Sequence, residues 1–272
     1  MSDRFEHKKS LGQHFLNSDV VPRWLCDAAT IVAGETVLEI GPGTGALTKE
    51  LLNRGARVIA LEADQRAIDQ LATTFDAQLA AGQLRVEHAD ARELDLSAID
   101  GLADGQYKIV ANIPYYLSGL LFRQCLQTVC QPNTLVFLVQ KEVAKRICVA
   151  PERGEKESLL SLSVAAYGVP TYVKTVTKGH FTPPPKVDSG IIAINNISRN
   201  ALADINEADF FAILHLGFGQ KRKQLLGNLT KQYDRERLID IFSTLGIDEK
   251  VRAEDIRLEM WLQLVHVLVS HS

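Results

Sequence analysis

The sequence predicts an α/β domain built on a mostly parallel sheet with helices on both faces, followed by a small all-helical domain. Three observations support this prediction. Short apolar, β-branched segments alternate with amphipathic helical patterns between about residues 36 and 195, as in βαβ units. After about residue 200 the strand patterns stop and only helical patterns follow. The length of 272 residues fits about two domains of roughly 150 residues each.

Seven segments have the length and composition of strands. They are Thr36–Ile40, Arg57–Leu61, Leu84–Glu87, Lys108–Ala111, Thr134–Val139, Tyr172–Thr177 and Gly190–Ile194. Amphipathic helices fit between them at Ala46–Asn53, Gln65–Phe75, Leu120–Thr128, Glu142–Val149 and Leu159–Tyr167. The last two strands are separated by about a dozen residues that include Pro183, Pro184 and Pro185, which is too short for a helical crossover. We therefore expect these two strands to pair antiparallel.

Further helical patterns flank this alternating region. One precedes it at Val20–Val32, and the arm up to about Ser18 fits neither a strand nor a helix. Four follow it, at Ala208–Leu216, Lys221–Leu229, Arg235–Thr244 and Leu258–Ser270. We therefore place the first domain at residues 1–198, with an N-terminal arm at 1–18, and a helical domain at residues 199–272.

Composition excludes several classes of protein. Hydrophobic residues make up 46% and charged residues 23%, which excludes a disordered, collagen-like or coiled-coil chain. No apolar stretch is long enough to span a membrane, and the N-terminus lacks the apolar core of a secretory signal, so we expect a cytoplasmic protein. The four cysteines form no Cys-x-x-Cys pair, and we expect no metal site. The net charge of −3 argues mildly against a nucleic-acid partner, unless basic residues cluster locally.

A glycine-rich loop follows the first predicted strand and opens a helix. Gly41, Gly43 and Gly45 let the backbone turn sharply and approach a ligand, and the helix behind them offers unpaired N–H groups. Gly41, Gly43 and Ala46 also fit the dinucleotide-binding pattern G-x-G-x-x-A. The loop therefore indicates a nucleoside-containing cofactor and leaves open whether it is a nicotinamide dinucleotide or S-adenosyl-L-methionine.

Acidic residues stand at the ends of the first three predicted strands. Glu62 can accept hydrogen bonds from ribose hydroxyls, and Asp90, in the segment His88-Ala-Asp90-Ala91, can accept from an adenine amine. Glu39 separates the two cofactors, because a dehydrogenase normally has an apolar residue there. A carboxylate suits the cationic sulfonium and amino groups of S-adenosyl-L-methionine, although it can also have a structural role in bonding loop N–H groups.

The fourth predicted strand ends in Val110-Ala-Asn112-Ile-Pro114-Tyr115. This segment resembles the Asn/Asp-x-Pro-aromatic motif of methyltransferases that modify amino groups conjugated to a planar ring. The Asn112 oxygen and a main-chain carbonyl near Pro114 can accept the two amine protons, which frees the nitrogen lone pair. Pro114 stiffens the turn and removes a competing donor. Tyr115 offers a face for base stacking, which is worth about 1–3 kcal/mol.

Several motifs together resemble one family, the small-subunit ribosomal RNA adenine N6,N6-dimethyltransferases (bacterial rRNA adenine dimethylases). The resemblance covers nearly the whole chain, and it implies a Rossmann-like, seven-stranded S-adenosylmethionine-dependent methyltransferase fold. Tyr116 departs from the family pattern, in which asparagine is common, and His14 stands where asparagine is more usual. The motifs are Lys9–Leu16, Glu39–Gly45, Asn112–Tyr115, Phe181–Ser189, Phe218–Lys223 with Asn228-Leu229, Gly246–Asp248 and Arg252–Glu254.

The resemblance implies roles for particular residues around the cofactor and the target base. Asn112 would lie between the cofactor and the target adenine, and Phe181 would stack on that base opposite Tyr115, since a flipped base needs two such faces. The residues expected to bind the cofactor are Gln13, His14 and Leu16 from the arm, Glu39, Gly41 and Gly43, Glu62, Asp90 and Ala91, and Asn112.

A basic, acid-free stretch in the helical domain provides the expected RNA contact. Lys221, Arg222 and Lys223 lie in this stretch, and Lys145 and Arg146 add further positive charge. A solvated helix face is the usual interpretation of such a cluster, but in an enzyme that acts on RNA phosphate contact is favoured.

The resemblance implies dimethylation of two adjacent adenosines near the 3′ end of small-subunit rRNA, with a role in ribosome biogenesis. The expected substrate is the small ribosomal subunit or an assembly intermediate, bound by a monomer. The segments Pro183–Ser189 and Gly246–Asp248 favour this branch over the large-subunit rRNA methyltransferases that confer antibiotic resistance. Two alternatives come from different classes of protein, a non-catalytic assembly factor and a nicotinamide dehydrogenase. The presence of Asn112 and Tyr115 argues against both.

Overall fold

A computed structural model describes residues 14–270 of the chain, which form two compact units. The first runs to Lys145 and continues through Pro170–Ile197. The second consists of Arg146–Val169 and the chain from Ser198 onward. The segment 146–169, assigned by sequence to the first domain, thus groups with the C-terminal helices. No helix among the described residues is long and apolar enough to cross a membrane.

The first unit contains a seven-stranded sheet. Its strands are β2 (Thr36–Ile40), β3 (Arg57–Glu62), β4 (Leu84–His88), β5 (Tyr107–Asn112), β6 (Thr134–Gln140), β7 (Val169–Val176) and β9 (Ser189–Asn195). Their order in the sheet is β4-β3-β2-β5-β6-β9-β7. Strands β2 to β6 run parallel, and β9 is antiparallel to β6. This confirms the seven predicted strands and makes the last two neighbours in the sheet.

A separate two-stranded sheet joins the N-terminal arm to the proline-rich loop. Strand β1 (Phe15–Leu16) pairs antiparallel with β8 (Phe181–Thr182), and Leu16 lies opposite Phe181. The prediction that the arm contains no strand was therefore wrong. Two residues are too few to show a periodic pattern, and their partner lies far away in the sequence.

Helices cover the sheet as predicted, with small differences at their ends. The helix expected to end at Val32 stops at Ala28, and a short helix that was not predicted follows the third helix. The helices that begin in this unit are α1 (Val20–Ala28), α2 (Ala46–Asn53), α3 (Gln65–Thr74), α4 (Asp76–Ala80), α5 (Ser118–Gln127) and α6 (Lys141–Ile147).

The core of the first unit lies between the sheet and its helices. The central strands β5 and β6 are buried along nearly their whole length, as expected for parallel strands covered on both faces. Their apolar side chains leave polar groups only at the strand ends, such as Asn112 at the end of β5. The polar side chain of Asn112 therefore lies at the carboxyl edge of the sheet.

The second unit is helical and packs around Trp261. The Phe218 ring stacks on this buried indole with ring centroids 5.8 Å apart. The helices are α7 (Leu159–Ala165), α8 (Glu207–Gly217), α9 (Leu225–Leu229), α10 (Arg235–Leu245) and α11 (Leu258–Ser270).

The predicted helix Lys221–Leu229 needs correction at its start. Helix α9 begins only at Leu225, because Gln224 has an extended backbone (φ −62°, ψ 150°). The cluster Lys221–Lys223 therefore lies in an exposed turn before the helix rather than on a helix face.

Candidate functional site

A cavity of about 850 Å³ opens in the first unit at the carboxyl ends of β2, β3, β4 and β5. Ligands of open α/β sheets bind at this edge. The wall consists of residues 14–15 from the arm, 61–66, 88–92 and 112–117 from the strand ends and the loops after them, and Ile40, Gly41 and Gly43.

The glycine loop forms the floor of this cavity, with Gly41 and Gly43 at φ values of +70° and +55°. A side chain at Gly41 would meet no atom within 4 Å, so the space in front of it is open to a ligand. A Cβ at Gly43 would lie 2.8 Å from the Phe15 ring, which therefore packs directly on the loop. Phe15 was not among the predicted site residues, although it adjoins the predicted His14.

Glu62 is almost fully buried and binds the glycine loop. Its Oε2 accepts from the Gly43 N–H at 3.0 Å, and its Oε1 accepts from the N–H groups of Ala63 and Asp64, both at 2.9 Å. A carboxylate has about four acceptor positions. One position on Oε2 therefore remains for a hydrogen bond from a ribose hydroxyl.

Asp90 lines the cavity and is bound by Arg92. The carboxylate accepts from Arg92 Nε at 3.0 and 2.9 Å, from the Arg92 N–H at 2.8 Å, and from Arg92 Nη2. The side-chain bond to Arg92, followed by the backbone bond, lowers the pKa of Asp90 to about 2. Asp90 is thus an anion at neutral pH, but Arg92 must move before this carboxylate accepts from an adenine amine.

Glu39 does not line the cavity, contrary to the expected direct contact with the cofactor. It is 1% exposed, and its Oε2 accepts from the Thr48 hydroxyl of α2 at 2.7 Å. Burial raises the pKa of Glu39 to about 8. The carboxyl is therefore mostly protonated at pH 7 and ties β2 to α2. Attraction to a cationic methionine group requires it first to lose a proton.

Asn112 stands in the cavity wall at the end of β5 and bonds to the arm. Its Nδ2 donates to the His14 carbonyl at 3.1 Å. This bond uses the donor end of the amide and leaves Oδ1 to accept. The next turn is fixed by the bond from the Leu117 N–H to the Pro114 carbonyl, 3.0 Å.

Tyr115 is held at both ends. Its hydroxyl shares a hydrogen bond of 2.7 Å with the buried Ser189, and its ring lies 5.7 Å from the His14 ring. Burial raises the pKa of this phenol, so it is neutral at physiological pH. The His14 Nδ1 donates to the Pro183 carbonyl at 2.8 Å, because a carbonyl can only accept. Through His14 the arm thus connects the turn Asn112–Tyr115 to the proline-rich loop.

Two expected site residues lie elsewhere in the first unit. Phe181 is 2% exposed and belongs to the hydrophobic core, so it presents no face to a base in this structure. Leu16, its partner across the two-stranded sheet, packs against the same core and does not line the cavity. Both side chains point inward because burying them removes apolar surface from water. Gln13 lies outside the described residues.

The structure adds Arg92 to the residues predicted for this site, and it places Tyr116, noted above for its departure from the family pattern, in the cavity wall. Arg92 and Tyr116 line the cavity at its rim, and both are largely exposed. Tyr116 adjoins Tyr115, and Arg92 lies two residues after Asp90. Proximity in the sequence to these predicted site residues was the only indication that Arg92 and Tyr116 would line the cavity.

The expected RNA-binding cations are exposed. Lys145 lies on α6 in the first unit, and Arg146 follows it in the second. In the second unit, the Lys221–Lys223 turn is fixed by the buried Asn228, whose Nδ2 donates to the carbonyls of Gly217 at 2.6 Å and Gln220 at 3.2 Å. The basic turn is therefore built into the helical unit.

The fold and the cavity define an S-adenosylmethionine-dependent methyltransferase of the Rossmann-like class. The open space before Gly41 and the remaining acceptor position on Glu62 fit the methionine and ribose parts of this cofactor. The anionic Asp90 fits the adenine amine once Arg92 has moved aside. The segment Asn112–Tyr115 adds hydrogen-bond acceptors and an aromatic ring to the cavity wall.

Comparison with known proteins identifies the family. The sequence model described as "Ribosomal RNA adenine dimethylase" matches residues 4–269. A ribosomal RNA small subunit methyltransferase A of Dehalococcoides mccartyi is 40% identical over 94% of this chain and 87% of its own length. Its namesake in Chlamydia trachomatis is 34% identical over 96% and 92% of the two chains. This chain belongs to the ribosomal RNA adenine dimethylase family.

Solved structures support the same fold. A dimethyladenosine transferase from Plasmodium falciparum superposes with a TM-score of 0.78 at 26% identity, over 94% of this chain and 98% of that one. The 23S rRNA methyltransferase ErmE shares the fold with a TM-score of 0.71 at 23% identity, over 94% and 99% of the two chains.

Proposed function

We propose that this protein transfers methyl groups from S-adenosyl-L-methionine to N6 of adenosines in small-subunit ribosomal RNA, twice per base. The observation that carries the proposal is the Asn112 amide in the cavity wall, held through Nδ2 with Oδ1 free to accept. The names of the relatives in Dehalococcoides and Chlamydia support the small subunit as substrate. Two adjacent adenosines near the RNA 3′ end, and a role in subunit assembly, belong to the proposal.

The chain's own residues make the adenine amine reactive. Its nitrogen lone pair is delocalised into the ring, and acceptors for its protons favour a pyramidal nitrogen. Asn112 Oδ1 accepts a hydrogen bond from one N–H of the adenine amine. The Pro114 carbonyl already accepts from Leu117, so the neighbouring Ile113 carbonyl is the main-chain acceptor assigned to the second. Pro114 has no N–H that would compete for these acceptors.

S-adenosyl-L-methionine supplies the electrophilic methyl group. Positioning is then most of the catalytic task, because the product ammonium loses its proton readily to water. Tyr115 supports the base by stacking, with its ring fixed by Ser189 and His14. The buried Phe181 is a structural anchor of the proline-rich loop in this account.

Basic residues are assigned the binding of the RNA that lies outside the cavity. Lys145, Arg146 and the Lys221–Lys223 turn would contact phosphates, with residues 199–272 acting as the RNA-binding domain. Local positive charge of this kind offsets the net charge of −3. The protein would act as a cytoplasmic monomer on the small subunit or on a partly assembled form of it.

Transfer of labelled methyl groups to separated ribosomal particles tests the choice of substrate. Small subunits without adenine dimethylation, mature small subunits and free large-subunit RNA are offered separately, with Asn112→Ala as the inactive control. We expect label in the undermethylated small subunits alone.

Two outcomes would replace the proposal. Label in large-subunit RNA alone would move the protein to the branch associated with antibiotic resistance. Binding of S-adenosyl-L-methionine with no transfer to any of these RNAs, or to a partly assembled small subunit, would favour a non-catalytic assembly factor.

A further inference from the structure

Tyr116 lines the cavity but differs in its surroundings from the neighbouring Tyr115. Its side chain is 63% exposed, whereas Tyr115 is bonded to Ser189 and Leu117 is buried. The three residues form one 3₁₀ turn, in which successive side chains point about 120° apart. The side chain of Tyr116 therefore points away from that of Tyr115 and forms an exposed part of the cavity wall.

An exposed aromatic ring at this position can stabilise RNA from which a base has been flipped out of the stack. The nucleotide next to the flipped one loses a stacking partner, and its base is exposed to water. An aromatic side chain at the mouth of the pocket can replace the lost partner for any base, because every base has a π-face.

One arginine lies beside the Tyr116 ring. Arg92 lines the same cavity, its side chain is 66% exposed, and it is close enough to Tyr116 to interact with it electrostatically. Arg92 pairs with Asp90 in this structure, so its charge is compensated and the exposed ring of Tyr116 carries the inference.

We propose that Tyr116 is a stacking platform for the nucleotide that flanks the target adenosine, and that it determines the affinity for RNA rather than for the cofactor. This inference rests on the proposed function. It assigns a substrate subsite outside the pocket that holds the reacting base.

Steady-state kinetics on undermethylated small ribosomal subunits test this role. Tyr116→Ala should raise the KM for subunits about 5-fold to 100-fold, the range given by stacking of one base. The kcat and the affinity for S-adenosylhomocysteine should change less than twofold. Tyr116→Phe keeps the ring and should restore the KM, whereas Tyr116→Leu keeps only apolar bulk and should resemble the alanine variant.

The control is Val129→Ala, which removes an exposed apolar side chain (74% exposed) outside the cavity wall. An unchanged KM in Tyr116→Ala would overturn the inference and leave the proposed function intact. Equal losses in RNA and cofactor affinity would also overturn it, since Tyr116 would then belong to the cofactor site. Wild-type protein that fails to methylate any small subunit would instead refute the proposed function.

Discussion

The buried carboxyl of Glu39 gives a quantitative prediction about stability and pH. Its pKa is raised from 4.5 to about 8 by burial. Between these values the folded protein keeps a proton that the unfolded chain releases. The contribution of Glu39 to stability is therefore complete below pH 4.5 and is lost as the pH rises through 8. At 1.36 kcal/mol per unit, the free energy of unfolding should decrease by about 2–3 kcal/mol from about pH 6 to about pH 9 through this group.

Glu39→Gln should remove this dependence. The amide oxygen can still accept from Thr48, as the carboxyl does now at 2.7 Å, but the side chain no longer titrates. Its extra N–H donor needs a partner, so the variant loses about 1–3 kcal/mol at low pH. The variant should therefore be the less stable protein at pH 6 and should approach or exceed the wild type at pH 9.

Urea unfolding at pH 6 and pH 9 measures the effect as a difference between the two proteins. Glu93→Gln, at an exposed carboxyl, controls for the general loss of a negative charge. If Glu39→Gln and wild type lose the same free energy between the two pH values, the buried carboxyl is not protonated in the folded state and the reasoning fails.

Three further predictions concern turnover, RNA binding and packing. Asn112→Ala should lower kcat, measured by labelled methyl transfer, by about 100-fold or more. Its affinity for S-adenosylhomocysteine, measured by calorimetry, should change less than tenfold. Near-normal turnover would contradict the proposed role of Asn112 in binding the adenine amine. Replacing Lys221, Arg222 and Lys223 by alanine should flatten the salt dependence of subunit binding, and an unchanged slope would assign them to a solvated surface. Gly217→Ala should lower the free energy of unfolding in urea by about 1–3 kcal/mol, because a Cβ would lie 2.4 Å from the Trp261 ring. Gly119→Ala, where a Cβ would meet open space, is the control. Equal free energies of unfolding for the two variants would contradict the close packing at Gly217.

The seven strands of the main sheet and four central residues of the cavity could be predicted from the sequence. Buried parallel strands leave long apolar patterns, and their carboxyl ends meet at one edge, so Gly41, Glu62, Asp90 and Asn112 could be placed together in advance. The cavity wall contains all four.

Other features depend on contacts that no local pattern shows. Strand β1 exists because it pairs with a segment more than 160 residues later, and this pairing also buries Phe181. The protonated state of Glu39 follows from burial beneath α2, and the Arg92–Asp90 bond follows from a turn of three residues. The strand pairing and the burial of Glu39 depend on residues that are distant in the sequence, and the Arg92–Asp90 bond depends on the side-chain conformations in the turn.

The central claim is that this protein makes N6,N6-dimethyladenosine in small-subunit RNA. Mass spectrometry of nucleosides, after incubating undermethylated small subunits with the protein and S-adenosyl-L-methionine, measures the product directly. The account predicts two dimethyladenosines per RNA with wild type and almost none with Asn112→Ala. Methyl groups on another base or position, or equal product from both proteins, would contradict it.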